Sequence, residues 1–239
     1  MLLALTQVSK SYGSVKVTDD LSLSLPKGEA LGIIGPNGAG KTTLFNLITG
    51  TVRPQAGRVV FEGRDITGLD AAARCRLGIG RSYQIPHPFA GMTVFENVLV
   101  GATFGAGHGE KEGTPVALRA LEKTGLLSKA NRLAGSLPLL DRKCLELARA
   151  LATEPTLLLL DEIAGGLTEH EVQKLIECIR GIRADGISLI WIEHIVHALT
   201  AVVDRLMVIN FGRLLMAGEP AQVMASPEVR TVYMGVEAA

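Results

Sequence analysis

The stretch Ala30-Leu31-Gly32-Ile33-Ile34-Gly35-Pro36-Asn37-Gly38-Ala39-Gly40-Lys41-Thr42-Thr43 decides how the rest of the chain is read. Ala30 to Ile34 is an aliphatic run, Gly35 to Thr42 fits G-x-x-x-x-G-K-[ST], and Thr42 to Ile48 has helical character. An apolar strand, a glycine loop and a helix start in that order make a phosphate cradle. Glycines let the backbone wrap closely and aim successive NH groups at phosphate oxygens, and the helix starting near Lys41 adds the positive end of its dipole. In such a cradle Lys41 reaches the β- and γ-phosphates of a nucleotide, and the Thr42 hydroxyl binds Mg²⁺. The plainer alternative, a glycine turn with an exposed lysine, leaves the flanking strand and helix unexplained.

A second site follows from Leu157-Leu158-Leu159-Leu160-Asp161-Glu162, an apolar strand that ends in two acids. Four buried leucines fix the strand in a sheet, so Asp161 stands at its C-terminal end, where α/β folds hold ligands. Asp161 can bind Mg²⁺ directly or through water, and Glu162 can polarise an attacking water. Alone, an acidic pair after a strand is more often a solvated turn; beside a phosphate cradle it reads as chemistry.

The remaining aliphatic runs, Ser188 to Ile192 and Leu206 to Ile209, are continuous rather than alternating, as in strands covered on both faces. Helical segments Glu169 to Ala184 and Ile195 to Val203 follow strands and give the alternation of an α/β core. Leu2 to Leu25 with Arg58 to Glu62 reads instead as antiparallel strands. The middle of the chain, Thr93 to Ala152, has no convincing strand and carries a Gly-rich break, Gly101 to Gly113, before helical periodicity from Val116 to Leu127. It is expected to be an inserted helical subdomain with the break as a flexible surface link.

Composition narrows the partners. The 239 residues carry 24 basic and 24 acidic side chains, which argues against a uniform field that would hold nucleic acid or anionic lipid. The thiols Cys75, Cys144 and Cys178 are odd in number and lack CxxC spacing, and are expected to be reduced core residues. The apolar start, Met1 to Leu5, lacks a basic n-region and is expected to be a first strand rather than a signal peptide. No stretch approaches the roughly 18 apolar residues of a spanning helix, so if a membrane is involved, partner chains must cross it.

At this point the sequence resembles the ATP-binding cassette family over nearly its whole length. The resemblance implies a P-loop NTPase (RecA-like) α/β core, residues 1–84 and 153–239, with an antiparallel β subdomain and an inserted helical subdomain, residues 85–152. It implies ATP and Mg²⁺ as ligands, the cradle running from Gly35 through Pro36, Asn37, Gly38, Ala39, Gly40, Lys41 and Thr42 to Thr43. Tyr12, in Ser11-Tyr12-Gly13, matches the aromatic that stacks on adenine, with an ordinary strand-end tyrosine as the alternative. Gln84, in Arg81-Ser82-Tyr83-Gln84, matches the glutamine that senses γ-phosphate and Mg²⁺, and His194 matches the switch histidine. Thr42, Gln84 and Asp161 are thus the implied metal residues, and Glu162, Gln84 and His194 the implied catalytic ones. A zinc site at Glu193-His194 and His197 is set aside, because H-E-x-x-H is missing and no further ligand cluster follows.

Finer stretches look like the ATPases of branched-chain amino acid importers: Ile79 to Gln84, Met92 to Val98, Leu147 to Ala152, and the tail Pro227 to Arg230 with Tyr233-Met234-Gly235. Relatives with this look carry other small solutes too, so the solute and the direction of transport stay open. The resemblance implies a peripheral subunit on the cytoplasmic face of the inner membrane. Its implied partners are membrane permease subunits docking at loop 85–89, a second ATPase subunit and a substrate-binding protein, with no nucleic acid. Non-transport ATPases of this superfamily have a long coiled-coil insertion or tandem cassettes, neither present here; a GTPase would need N-K-x-D. A subunit that binds ATP without turning it over remains the other alternative.

One departure is serious. Where the family's signature loop reads LSGGQ or a close variant, this chain has Leu137-Pro138-Leu139-Leu140-Asp141. In the family that loop clamps the γ-phosphate held by a partner's cradle. Pro138 offers neither hydroxyl nor NH, and Leu140 blocks close backbone approach. Thr168 likewise stands where an aspartate or asparagine is usual. Two unequal ATP sites, and a heterodimer rather than a homodimer, are expected; the alternative is that NH groups at the start of the helix at Asp141 still hold the phosphate, so that the loop is merely divergent.

Overall fold

A computed structural model describes residues 1–234, with only the backbone at Met234. The chain forms an α/β fold that divides into two compact units, one of residues 1–71 with the chain from Ile190 onward, the other of residues 72–189.

In the first unit, β1 (Leu3–Tyr12), β2 (Val15–Leu25), β4 (Ala56–Phe61) and β5 (Arg64–Asp65) make an antiparallel sheet in the order β2-β1-β4-β5. The end of β2 shows why: Leu21, Leu23 and Leu25 are buried while Ser22 and Ser24 are exposed, the period-two pattern of a strand with one wet face. The core strands read differently. β3 (Ala30–Ile34) is buried at all five positions and runs parallel to β9 (Arg205–Asn210), with Leu31 opposite Arg205 and Ile34 opposite Val208. β10 (Arg213–Gly218) returns antiparallel to β9, and β8 (Ser188–Ile192), of which Ile190–Ile192 belong to this unit, lies next to β3 on the other side. The helices α1 (Lys41–Thr49), α7 (Val196–Thr200), α8 (Pro220–Ala225) and α9 (Pro227–Met234) complete this unit. Gly235, the end of the tail stretch singled out in the sequence, lies outside the described residues.

In the second unit, β6 (Ile79–Ser82) pairs in parallel with β7 (Leu157–Asp161), Arg81 opposite Leu159 and Ser82 opposite Leu160. Around them stand α2 (Ala71–Arg76), α3 (Val94–Val100), α4 (Glu110–Lys123), α5 (Leu139–Leu151) and α6 (Glu169–Ala184). The helices α3, α4 and α5 all fall inside the expected insertion, 85–152. Two helices begin at full capping boxes, Thr93 with Glu96 and Thr168 with Glu171, so Thr168 closes the helix start with its hydroxyl as an aspartate would with its carboxylate.

The expected flexible link, Gly101 to Gly113, is mostly helical. Gly101–Gly105 continues α3 as a π-helical turn, and α4 already begins at Glu110, leaving only residues 106–109 as a break. Close packing explains the helical glycines Gly101, Gly105 and Gly113 better than flexibility does, while Gly107 and Gly109 in the break meet open space. A Cβ on Gly101 would sit 2.4 Å from the Arg149 carbonyl oxygen, and one on Gly105 2.4 Å from Thr153 Cγ2. Among the described residues, no helix is long and apolar enough to cross a membrane.

Candidate functional site

The phosphate loop belongs to the first unit. Three of its glycines are required for three different reasons. Gly35 lies against β9, where a Cβ would come within 2.2 Å of the Ile209 carbonyl oxygen. Gly38 has φ +79° in open space, and Gly40 combines φ +99° with a Cβ position 2.4 Å from the Val17 carbonyl oxygen. The loop is pinned from outside by the Gly212 NH, which donates to the Ala39 carbonyl at 3.0 Å. Gly40 caps α1 in the left-handed conformation without any side-chain cap, and no acidic residue stands in the first helical turn. This helix start therefore keeps its positive character for an anion.

Lys41 curls back into the loop: its Nζ donates to the Gly35 carbonyl at 2.7 Å and the Pro36 carbonyl at 3.1 Å, and the residue is 6% exposed. Asn37, Gly38 and Thr42 are exposed, Pro36 and Thr43 half-buried, and Ala39 buried. A buried ammonium at the centre of a ring of backbone too tight for side chains fits a polyphosphate well. Tyr12 stands half-exposed at the end of β1 opposite Val15, with Lys10 Nζ 5.4 Å from its ring centre. His194 is exposed directly after β8; its NH donates to Glu193 Oε1 at 2.9 Å, and its carbonyl accepts from the Tyr233 hydroxyl at 3.1 Å.

The carboxylates belong to the second unit, which brings Gln84, Asp161 and Glu162 together. Gln84 Nε2 donates to Glu162 Oε2 at 2.7 Å, so the two sit in direct contact at the ends of adjacent parallel strands. Glu162 has φ +47°, a left-handed backbone unusual for a residue other than glycine; such strain gathers where a side chain must point in one direction. Asp161 is 4% exposed at the end of β7 and accepts from Arg81 Nη2 at 2.6 Å. A buried carboxylate in an ion pair is a hard oxygen donor of the kind Mg²⁺ takes, so the residues fit that ion. In the sequence Arg81 carries no role beyond its place in the stretch Ile79–Gln84. Its signal was there: an arginine inside a short strand whose neighbour is four leucines.

Loop 85–89 is fixed at its backbone, with Ile85 and Phe89 exposed and Pro86 and Pro88 half-buried. The His87 NH donates to Glu146 Oε1 at 2.9 Å and the Phe89 NH to Asn97 Oδ1 at 2.8 Å. Arg149 donates to the His87 carbonyl at 3.0 Å and lies 5.0 Å from the Phe89 ring centre. Ile85 is 64% exposed.

The Leu137–Asp141 stretch starts α5. Pro138 is its N-cap and provides no side-chain cap, Leu139 is exposed, and Asp141 is buried against Lys129 at 2.5 Å. The nearby carbonyls of Leu137 and Gly135 are taken by Arg142, at 2.7 and 3.0 Å. All three cysteines are free thiols; burial pushes Cys144 up to about 12 and Cys178 to about 11, so both stay protonated and poorly nucleophilic near neutral pH.

Comparison with known proteins identifies the family and the fold. Residues 18–165 match the family described as ABC transporter. The chain is 36% identical over 249 residues to the high-affinity branched-chain amino acid transport ATP-binding protein LivG of Salmonella typhimurium, covering 98% of each. It is also 36% identical over 241 residues to the lipopolysaccharide export system ATP-binding protein LptB of Acidithiobacillus ferridurans, covering 98% of this chain and 97% of that one. Among solved structures, an ATP-binding cassette of an ABC transporter in its ADP conformation superposes with a TM-score of 0.91 at 33% identity, covering 98% of this chain and 99% of that one.

Proposed function

The chain belongs to the ABC transporter family, as an ATP-hydrolysing nucleotide-binding subunit, and from that premise we propose that it drives import of a branched-chain or other hydrophobic amino acid, or a related small solute. The observation that carries the proposal is the full-length similarity to LivG, joined to the stretches Ile79–Gln84 and Met92–Val98. The equal identity to LptB, named for export, favours a second reading: an exporter subunit for an amphipathic lipid-linked cargo.

In the proposed mechanism each residue set has its own task. The cradle Gly35–Thr43 binds the phosphates by backbone NH groups, and Lys41 exchanges its two carbonyl partners for phosphate oxygens. Tyr12 supplies an exposed ring for the adenine. Thr42, Gln84 and Asp161 are the residues that would hold Mg²⁺, which would supply neutralisation of the phosphate charge. Glu162 polarises the attacking water, and Gln84, whose Nε2 donates to Glu162, holds that carboxylate in place. His194 steadies the γ-phosphate.

The proposed partners are membrane permease subunits, a substrate-binding protein and a second ATPase subunit, with the chain held peripherally on the cytoplasmic membrane face. The rigid backbone and exposed Ile85 of loop 85–89 support a socket for a short helix of a permease. The test is uptake by the complete transporter in vesicles. ATP-dependent accumulation of a branched-chain amino acid or a chemically related solute, lost on Glu162→Gln, is the expected result. Extraction of lipid without such accumulation would overturn import in favour of the second reading.

A further inference from the structure

Arg81 is the one charged side chain of β6, and it is buried. Its strand partner β7 offers Leu157–Leu160, each fully buried, and the pairing sets Arg81 opposite Leu159, two residues before Asp161. From there the guanidinium reaches along the strand end, where Nη2 donates to Asp161 Oδ2 at 2.6 Å with both side chains 6% exposed. The Tyr83 ring lies 4.7 Å from Arg81 Cζ and covers the guanidinium on another side. A charge brought this far from water needs a partner, and a buried ion pair is weak evidence of stabilisation, since apolar replacements often fold as well or better. Its geometry is the better clue. A guanidinium bonded to one carboxylate oxygen blocks rotation of the carboxylate, so the other oxygen has a set direction.

We infer that Arg81 is a positioning residue for metal binding: by holding Asp161 Oδ2 it aims the carboxylate at the Mg²⁺ that accompanies ATP. This rests on the reading of Asp161 as a metal ligand given above. An arginine near a divalent cation also repels it. The Asp161 carboxylate that Arg81 holds carries the opposite charge and offsets part of that repulsion, and on this inference orientation outweighs the rest, so that Arg81 raises rather than lowers the affinity for metal. Lysine would keep the charge but lose the planar, direction-setting fork.

The test compares equilibrium binding of ATP in EDTA with binding of Mg-ATP, by calorimetry, in the wild-type chain, Arg81→Gln and Arg81→Lys. The quantity read is the gain in affinity that Mg²⁺ confers. The expected result is a loss of about ten-fold in that gain for Gln and a smaller loss for Lys, with ATP affinity in EDTA unchanged within about two-fold. An unchanged or larger gain in Arg81→Gln would overturn the inference, because it would mean repulsion or no role. Equal loss of both affinities would also overturn it, as that marks a structural residue. Should Arg81→Gln not fold, Arg81→Lys decides by the same readout. A wild-type chain with no gain from Mg²⁺ would sink the reading of Asp161 itself, a different result from any of these.

Discussion

The loops Gly35–Lys41 and Leu137–Asp141 each run into the first turn of a helix, yet they are built in opposite ways. In the first, glycines at φ +79° and +99° and a third against a carbonyl bring the backbone closer than any side chain allows, and a buried lysine waits inside. In the second, a proline caps the helix, leucines follow, Leu139 faces outward, and Arg142 occupies two carbonyls of the approach. One loop is built to receive an anion, and the other lacks the hydroxyl and the close backbone approach that would grip one. A subunit of this kind can hold its own nucleotide while contributing little to a phosphate held by a partner.

The largest effect is expected on the intact side. Replacing Lys41 with alanine removes the ammonium and at least one charge-assisted hydrogen bond to phosphate, each worth roughly 1.5–3 kcal/mol. ATP affinity should fall on the order of a hundred-fold while the circular dichroism spectrum and melting transition stay near those of the wild type; unchanged Mg-ATP affinity would show that the cradle is not the binding site. A smaller effect of opposite sign is expected on the degenerate side. Pro138→Ser with Leu140→Gly returns a hydroxyl and a close backbone approach, and should raise the ATPase rate of the isolated chain by about ten-fold at protein concentrations that allow self-association, by the same per-bond magnitude. A doubly substituted chain that folds but hydrolyses no faster would mean that the two loops differ less in function than in shape.

How much of this was legible beforehand follows from the range of the forces involved. The cradle, the strand Leu157–Leu160 and the helix Glu169–Ala184 are local: their residue pattern specifies a backbone conformation without reference to anything distant. The glycines Gly101, Gly105 and Gly113 were misread as a link because their reason is tertiary, a close approach of other backbone and side chains that no local pattern reveals. Arg81 was passed over for the same reason. Its partner Asp161 lies 80 residues away, and only strand pairing makes them neighbours. Thr168 departs from the usual acidic or amide residue in type, yet its capping box with Glu171 closes the helix start in this chain.

The claim that the two loops serve unequal ATP sites is tested most directly in the assembled transporter, with this chain and a second ATPase subunit together. Glu162→Gln in this chain, and separately the equivalent change of the catalytic glutamate in the second subunit, are compared by steady-state ATP hydrolysis. The account predicts that Glu162→Gln removes most of the turnover, since this chain's intact cradle is paired with a competent loop, and that the other change costs much less. Equal losses from the two changes, or a copurified complex containing only two copies of this chain at full activity, would contradict it.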